Sequence, residues 1–268
     1  MRDAEEGHPP QAGAHVRMAE VVNDTLAFVA RNLDVSVHQH NAVQLVVSLD
    51  RPYDAILGTQ THPGIGGFLI DSNVPHACYA KATSVLVASV DALTQRGSHL
   101  KRAVLRGRRY VLLEELMESS RFAAAVERFK NLYEAGQVAL FDALLDALGA
   151  GTPPREQIDP RIDRVVTLLT EHFREPLSRT QLACEVGLSE RRLRQLFREQ
   201  TGISMQRFIL WARIRSALRL MMRGDPLAGV ANVSGFADQA HLTRTFKAMF
   251  GVPPALFQAK AQFLETFG

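Results

Sequence analysis

Apolar residues recur at short spacing from about Val35 to Val90. Val43-Gln44-Leu45-Val46-Val47-Ser48-Leu49 reads as a strand, with Phe68-Leu69-Ile70 and Val85-Leu86-Val87-Ala88 as further short strands. Gly58 and the cluster Pro63-Gly64-Ile65-Gly66-Gly67 punctuate them. Several short strands between turn signals predict a small β-barrel or sandwich. After Asp91 the apolar period lengthens. Within Tyr110 to Leu148, Phe122, Val126 and Phe129, then Leu140, Leu144 and Leu148, stand at helical spacing. This stretch carries more apolar positions than one helix face needs, which suggests pairing with a second copy as a homodimer. Gly149-Ala150-Gly151-Thr152-Pro153-Pro154 is the best linker signal in the chain. Everything after Asp159 has helical texture. The fold class is therefore α+β. A loose tail over residues 1–20 precedes a β domain with a helical appendage over 21–148. A linker over 149–158 leads to an all-α domain over 159–268, which reads as self-contained.

Length and composition narrow this picture. At 268 residues there is room for two modest domains. No apolar run approaches the ~18 residues of a membrane span. Met1 to Gln11 lacks the basic-then-apolar order of a secretory signal. Only Cys78 and Cys184 are present, so no disulfide framework is implied and a cytoplasmic location is expected. The charge is asymmetric. From Pro160 to Gly268 there are 16 Lys and Arg against 9 Asp and Glu, a net of +7; the remainder nets −4, giving +3 for the chain. A basic C-terminal region suggests a polyanionic partner, although a solvated surface also looks like this.

The C-terminal pattern resolves into helices. Asp159 caps one and Pro160 suits its first turn; Ile162, Val165, Val166, Leu169 and Phe173 mark its apolar face. Ser178 and Gln181 have capping-box spacing and open a short helix to Val186. Gly187 permits a sharp turn, and Ser189 caps the next helix, Glu190 to about Gln200. There Leu193, Leu196 and Phe197 face inward, while Arg191, Arg192, Arg194, Gln195 and Arg198 face outward. This is a helix-turn-helix pattern, and Arg and Gln on such a helix can hydrogen-bond base edges in the major groove. The pattern occurs twice. Ala231 to Gly235 repeats Ala183 to Gly187 at an offset of 48, and Phe246-Lys247 repeats Phe197-Arg198 at 49. Asp225-Pro226 reads as the opening of the second unit, by the same device as Asp159-Pro160. A long helix from about Met205 to Arg223, with the seam Leu210, Ile214, Ala217 and Met221, joins the copies.

Here the chain resembles the AraC/XylS family of bacterial transcription regulators, from about Asp159 to Phe257. The likeness is strongest over Arg213 to Met221, over Gly235-Phe236-Ala237-Asp238-Gln239-Ala240-His241-Leu242-Thr243-Arg244-Thr245-Phe246-Lys247, and over Phe250 to Phe257. It implies a sequence-specific regulator of double-stranded DNA that also contacts RNA polymerase and answers to a small effector. It further implies base contacts from Arg191, Arg194 and Gln195 in the first unit, and from Gln239, Ala240 and Arg244 in the second. Arg198, Thr243 and Lys247 fall to phosphate, Trp211 to packing on the connecting helix, and Cys184 to a small buried role. Ser234 replaces an apolar residue before the second glycine, Ala240 a serine, and Gly229 interrupts a helix. These departures suggest a looser second unit.

Sensor domains of this family often resemble the small β-barrels called cupins. His38-Gln39-His40-Asn41-Ala42-Val43-Gln44-Leu45 and Asn73-Val74-Pro75-His76 look like that type. Metal cupins use a His-x-His pair, a nearby Glu and a later His. Here His38, His40 and His76 match, and Gln44 stands near the Glu position, which weakens such a site. His38, His40 and Gln44 share one strand face; Val43, Leu45, Val47 and Leu49 share the other. Either the polar face lines a pocket and the apolar face is covered from outside, or the polar face meets solvent; a β-bulge would break the parity. An organic-effector pocket, a metal site and a purely structural barrel all stay open, and no other cofactor is implied. Cys78 could share the face of His76 in a thiol-containing metal or redox sensor. Two other readings of the whole chain remain. One is a metal-dependent cupin enzyme with a DNA-binding appendage, disfavoured by Gln44 and by the lack of another acid–base constellation. The other is a non-specific architectural DNA binder.

Overall fold

The structure is a computed structural model. It describes residues 15–22, 24–134, 141–149, 159–175, 177–201, 203–258 and 262–264. The N-terminal half is built on strands β1 (His15–Val22), β2 (Thr25–His38), β3 (Ala42–Ser48), β4 (Tyr53–Leu57), β5 (Gln60–Ile65), β6 (Gly67–Ile70) and β7 (His76–Asp91). Helix α1 (Gln95–His99) runs into a π-helical turn, Leu100–Leu105. Then come β8 (Tyr110–Leu112), α2 (Leu113–Leu116), α3 (Ser120–Glu134) and α4 (Asp142–Ala147). The C-terminal half holds α5 (Pro160–Glu171), α6 (Arg179–Glu185), α7 (Glu190–Thr201), α8 (Met205–Met222), α9 (Leu227–Val233) and α10 (Gln239–Phe250). A 3-10 turn, Pro254–Phe257, and β9 (Gln262–Leu264) close the chain described.

Among the described residues nine strands form one sheet in the order β8-β6-β3-β7-β2-β1-β9, with β4 and β5 paired beside β7. The long strands β2 and β7 pair antiparallel from Thr25 opposite Val90 to His38 opposite His76. Two corrections concern the chain's edges. Strand β1 begins inside the segment expected to be a loose tail. Val16, Met18, Ala19 and Val21 are buried there against β2, with no glycine or proline to interrupt them. Tyr110–Leu112, expected to start a helix, instead pairs with β6 as an edge strand. The linker expected over 149–158 lies outside the described residues except for Gly149, and so does Leu140.

Side-chain alternation gives the sheet two apolar faces. Val43, Leu45, Val47 and Leu49 of β3 and the strand's end join Leu86, Ala88 and Val90 of β7 beneath Phe122, Val126, Phe129, Phe141, Leu144 and Leu145. The apolar surplus of the helical appendage is thus used inside the protein, covering the sheet. It no longer calls for a partner chain.

The opposite face corrects the expectation of a self-contained helical domain. Leu26, Phe28, Val46, Phe68 and Val87 of the sheet share one core with Trp211, Ile214 and Met221 of α8, Phe246 and Phe250 of α10, and Phe257. Phe28 and Phe257 meet edge to face at 5.1 Å. Each such ring removed from water contributes roughly 1.5–3 kcal/mol. β9 adds to the seam by pairing parallel to β1, Ala19 opposite Phe263. Only α5, α6, α7 and the start of α8 form a separate cluster, around Ile162, Leu193 and Phe197.

Candidate nucleic-acid interface and the three-histidine cluster

Local chemistry sets up the first unit. The Ser178 hydroxyl accepts from the Gln181 amide and starts α6, and the Ser189 hydroxyl accepts from the Arg192 amide and starts α7. Gly187 turns between them at φ 64°. Thr180 donates to Glu190 at 2.6 Å, a direct tie between the two helices. With Leu193, Leu196 and Phe197 facing the core, Arg191, Arg194, Gln195 and Arg198 are exposed. Gln195 is not idle: its amide donates to Glu199 at 2.7 Å, and Arg192 lies 3.7 Å from the same carboxylate.

The second unit follows the same plan with both helix caps changed. Asp238 accepts from the His241 amide at 2.6 Å and starts α10, and Gly235 turns before it at φ 79°. Gln239, Ala240, Arg244 and Lys247 are exposed and Thr243 is half-buried, while Leu242, Phe246, Met249 and Phe250 face inward. The Asp-Pro opening is not reproduced. α9 starts at Leu227 with Pro226 at its cap and no side-chain cap bond. Asp225 belongs to the end of α8: its amide donates to Leu220 and its carbonyl accepts from Gln258. Among the described residues Arg191, Arg194, Arg198, Arg244 and Lys247 make no ion pair, so their charge faces water.

One interaction was not anticipated from the sequence. Asp91, at the end of β7, has a fully buried carboxylate. It accepts from Arg207 Nε at 2.7 Å and Nη2 at 2.8 Å, and from Trp211 Nε1 at 2.9 Å. Arg207 and Trp211 sit one turn apart on α8, so a single carboxylate fastens that helix to the sheet. Trp211 is buried as expected. Nearby, the Asn41 amide donates to Ala248 O at 2.9 Å, satisfying a carbonyl in the last turn of α10.

The N-terminal candidates converge. His40 and His76 are 2% and 1% exposed, Gln44 is buried, and His38 lies at the rim. A polar face turned to solvent is thereby ruled out. A bulge between Val35 and His38 sets His38 opposite His76. Ring centroids are 4.3 Å apart for His38–His76, 4.8 Å for His40–His76 and 5.6 Å for His38–His40. Burial, and then the neighbouring rings, push His40 down to about 4 and His76 to about 3; burial also lowers His38. The rings are therefore neutral near pH 7. Gln44 donates to Ser89 at 3.1 Å and is also a polar neighbour of His40.

The less favoured alternative of a thiol-containing site is not met, and Cys184 does not stand where it was expected. Cys78 is buried in the shared core, where desolvation raises its thiol to about 12, and it does not join the histidines. A thiol held protonated is a poor ligand or redox centre. Cys184 is exposed, because Leu182 and Ala183 take the inward positions of α6. Among the described residues, a gap lined by residues such as Asn41 and Met249 and another in the core lined by Val47 and Phe129 each enclose about 150 Å³. Organic-ligand sites are usually ~300 Å³ or more.

Comparison with known proteins bears on the C-terminal half. A helix-turn-helix domain family matches residues 182–260, which run from α6 past α10. The C-terminal region thus contains a helix-turn-helix domain. The transcriptional regulator GbdR of Pseudomonas aeruginosa is 30% identical over 96 residues, covering 35% of this chain and 26% of GbdR. The transcriptional activator RhaS of Escherichia fergusonii is 31% identical over 123 residues, 45% of this chain and 44% of RhaS. The chain thus spans less than half the length of these curated relatives. Among solved structures, ToxT from Vibrio cholerae aligns over 88% of this chain and 98% of its own at 15% identity, with a TM-score of 0.43. No helix among the described residues is long and apolar enough to cross a membrane.

Proposed function

We propose that the chain is a sequence-specific regulator of transcription. α7 and α10 read double-stranded DNA, and the N-terminal sheet governs how α10 is held. The observation that carries this reading is the repeated pairing of a buried apolar face with unpaired cations on the outer face of both helices. The match to proteins named as transcriptional regulators supports it. Arg191, Arg194, Gln195, Gln239, Ala240 and Arg244 are assigned to base edges, and Arg198, Thr243 and Lys247 to phosphates. A small effector, RNA polymerase and a second copy of the chain are partners of this class of protein. A cytoplasmic location belongs to the same proposal.

The test separates reading from holding. A preferred site is first selected from random duplexes. Arg194→Ala should then lower the preference for that site by about 1–3 kcal/mol at one or two base pairs. Lys247→Ala should weaken preferred and random DNA alike and reduce the salt slope by about one phosphate contact. Equal losses on both DNAs for Arg194→Ala would make Arg194 a phosphate contact and displace the reading register of α7. Failure to select any site would leave only non-specific binding.

A further inference from the structure

DNA reading gives no role to the three histidines. Their ring orientation is fixed. Nδ1 of His38 lies 2.9 Å from Ser36 O, that of His40 3.2 Å from Ala42 O, and that of His76 2.8 Å from Val74 O. A carbonyl only accepts, so each Nδ1 carries the proton and each Nε2 presents its lone pair. Nε2 of His40 and Nε2 of His76 are buried with no hydrogen-bond partner. Leaving a buried polar atom unpaired is unfavourable, and here two such atoms belong to one cluster. One ring nitrogen from each histidine lies within 4.8 Å of the others.

We propose that His38, His40 and His76 form a binding site for a divalent first-row cation of the zinc class, set at the seam between the sheet and the second helix-turn-helix unit. Three neutral imidazole nitrogens suit Zn²⁺, Co²⁺, Ni²⁺ or Cu²⁺, and they do not suit Mg²⁺ or Ca²⁺, which take oxygen donors. Backbone carbonyls on the far ring nitrogens are the usual means of orienting such ligands. Zinc–nitrogen bonds of about 2.0–2.1 Å put tetrahedral ligands roughly 3.4 Å apart, so the rings close inward on binding. His38 at the rim gives the ion its way in. The roof over the site comes from the other half of the protein. Gly251, in the left-handed conformation that caps α10, sits so close that a Cβ there would fall 2.3 Å from the His38 ring and 2.8 Å from that of His40. A residue with no side chain is needed at that point, and it is the last turn of a DNA-reading helix that supplies it.

The test uses the full-length chain, stripped with a chelator. It is titrated with Co²⁺, read by visible absorption, and with Zn²⁺ in competition with a chromophoric chelator. One ion per chain with a Kd below about 10 μM is expected, together with a rise in melting temperature on adding Zn²⁺. His76→Ala should lose this binding by 100-fold or more. His38→Ala does the same at a partly exposed position, where folding is least at risk. No uptake by the wild-type chain below that Kd, or equal uptake by the His38→Ala chain, overturns the proposal. DNA selection on the stripped protein is a separate measurement, so the regulator reading stands or falls independently.

Discussion

The two helix-turn-helix units have the same dimensions and opposite surroundings. α6 and α9 are both 7 residues long, and α7 and α10 both 12. The offset of 48 and then 49 puts Leu193 with Leu242 and Phe197 with Phe246, so both cores are anchored alike. The last turns differ. Where α7 ends in Gln200-Thr201, α10 ends in Met249-Phe250, which are 4% and 1% exposed. Two apolar residues in place of two polar ones turn a solvated helix end into one that docks on the sheet. The first unit keeps its own core, and the second shares that of the N-terminal half. A helix with a core of its own is thus joined to one whose position depends on the sheet. Of the sequence departures that suggested a looser second unit, Ser234 leaves no gap: it is fully buried and its hydroxyl lies 3.3 Å from that of Ser216.

The largest effect should come from removing that difference. Phe250 packs against Trp211 and Phe246 at centroid distances of 5.7 and 4.8 Å. Phe250→Thr takes away a buried ring and buries a hydroxyl, a loss of about 3–5 kcal/mol by the measure of large-to-small core changes. Urea unfolding followed by Trp211 fluorescence reads it. Thr201→Phe, the reverse exchange in the first unit, removes only a hydroxyl bonded to Phe197 O and Ile203 O and should shift the curve by about 0.5–1.5 kcal/mol. Equal losses from the two changes would mean that the ends of α7 and α10 are equivalent and that the docking is not real.

A smaller effect is expected at the carboxylate clasp. Asp91→Ala leaves the Arg207 guanidinium and the Trp211 indole N–H without their acceptor. Breaking one side of a buried pair costs about 3–5 kcal/mol, and the partial exposure of Arg207, 20%, reduces this to roughly 2–4 kcal/mol. Cys78 offers a second readout, because its thiol lies in the core that the clasp closes. Native Cys78 should resist a thiol reagent that labels Cys184 at once, and Asp91→Ala should shorten that protection. Unchanged protection in a destabilised variant would place the opening elsewhere.

What could be read from the sequence was local. Caps at Asp159, Ser178 and Ser189 and turns at Gly187 and Gly235 depend on neighbours within a few residues, and the helices stand where those signals put them. The repeat was legible because identical helix lengths force a constant offset. The His-x-His pair and His76 were legible as residue types, and strand parity correctly separated the faces of β3. The sequence could not show that the apolar surplus of α3 and α4 lies on the sheet, since homodimer packing and internal packing leave the same pattern. Asp91 was invisible for a related reason. It is 116 residues from Arg207, and a lone Asp at a strand end reads as a turn residue until its partners are in place. The same distance hid the sharing of one core, and with it the roof that Gly251 makes over the histidines.

The smallest effect concerns a position where the two units differ without docking. The offset of 48 pairs Gly229 in α9 with Gln181 in α6. Gly229 is exposed and has helical backbone, and a Cβ built on it meets nothing within 4 Å. Glycine inside a helix costs about 0.5–1 kcal/mol relative to alanine, through the entropy it gives the unfolded chain. Gly229→Ala should therefore stabilise the protein by that amount. Because α9 shares the core of the sheet, the gain should appear in the transition that carries Trp211. Gln181→Gly should instead weaken the first unit by a similar amount, seen in far-UV circular dichroism, with the Trp211 signal unmoved. If Gly229→Ala also leaves DNA affinity unchanged, the glycine has no function in binding. If it stabilises the chain and weakens DNA binding, the bare backbone of α9 is in contact with the duplex, and the second unit approaches DNA more closely than the first.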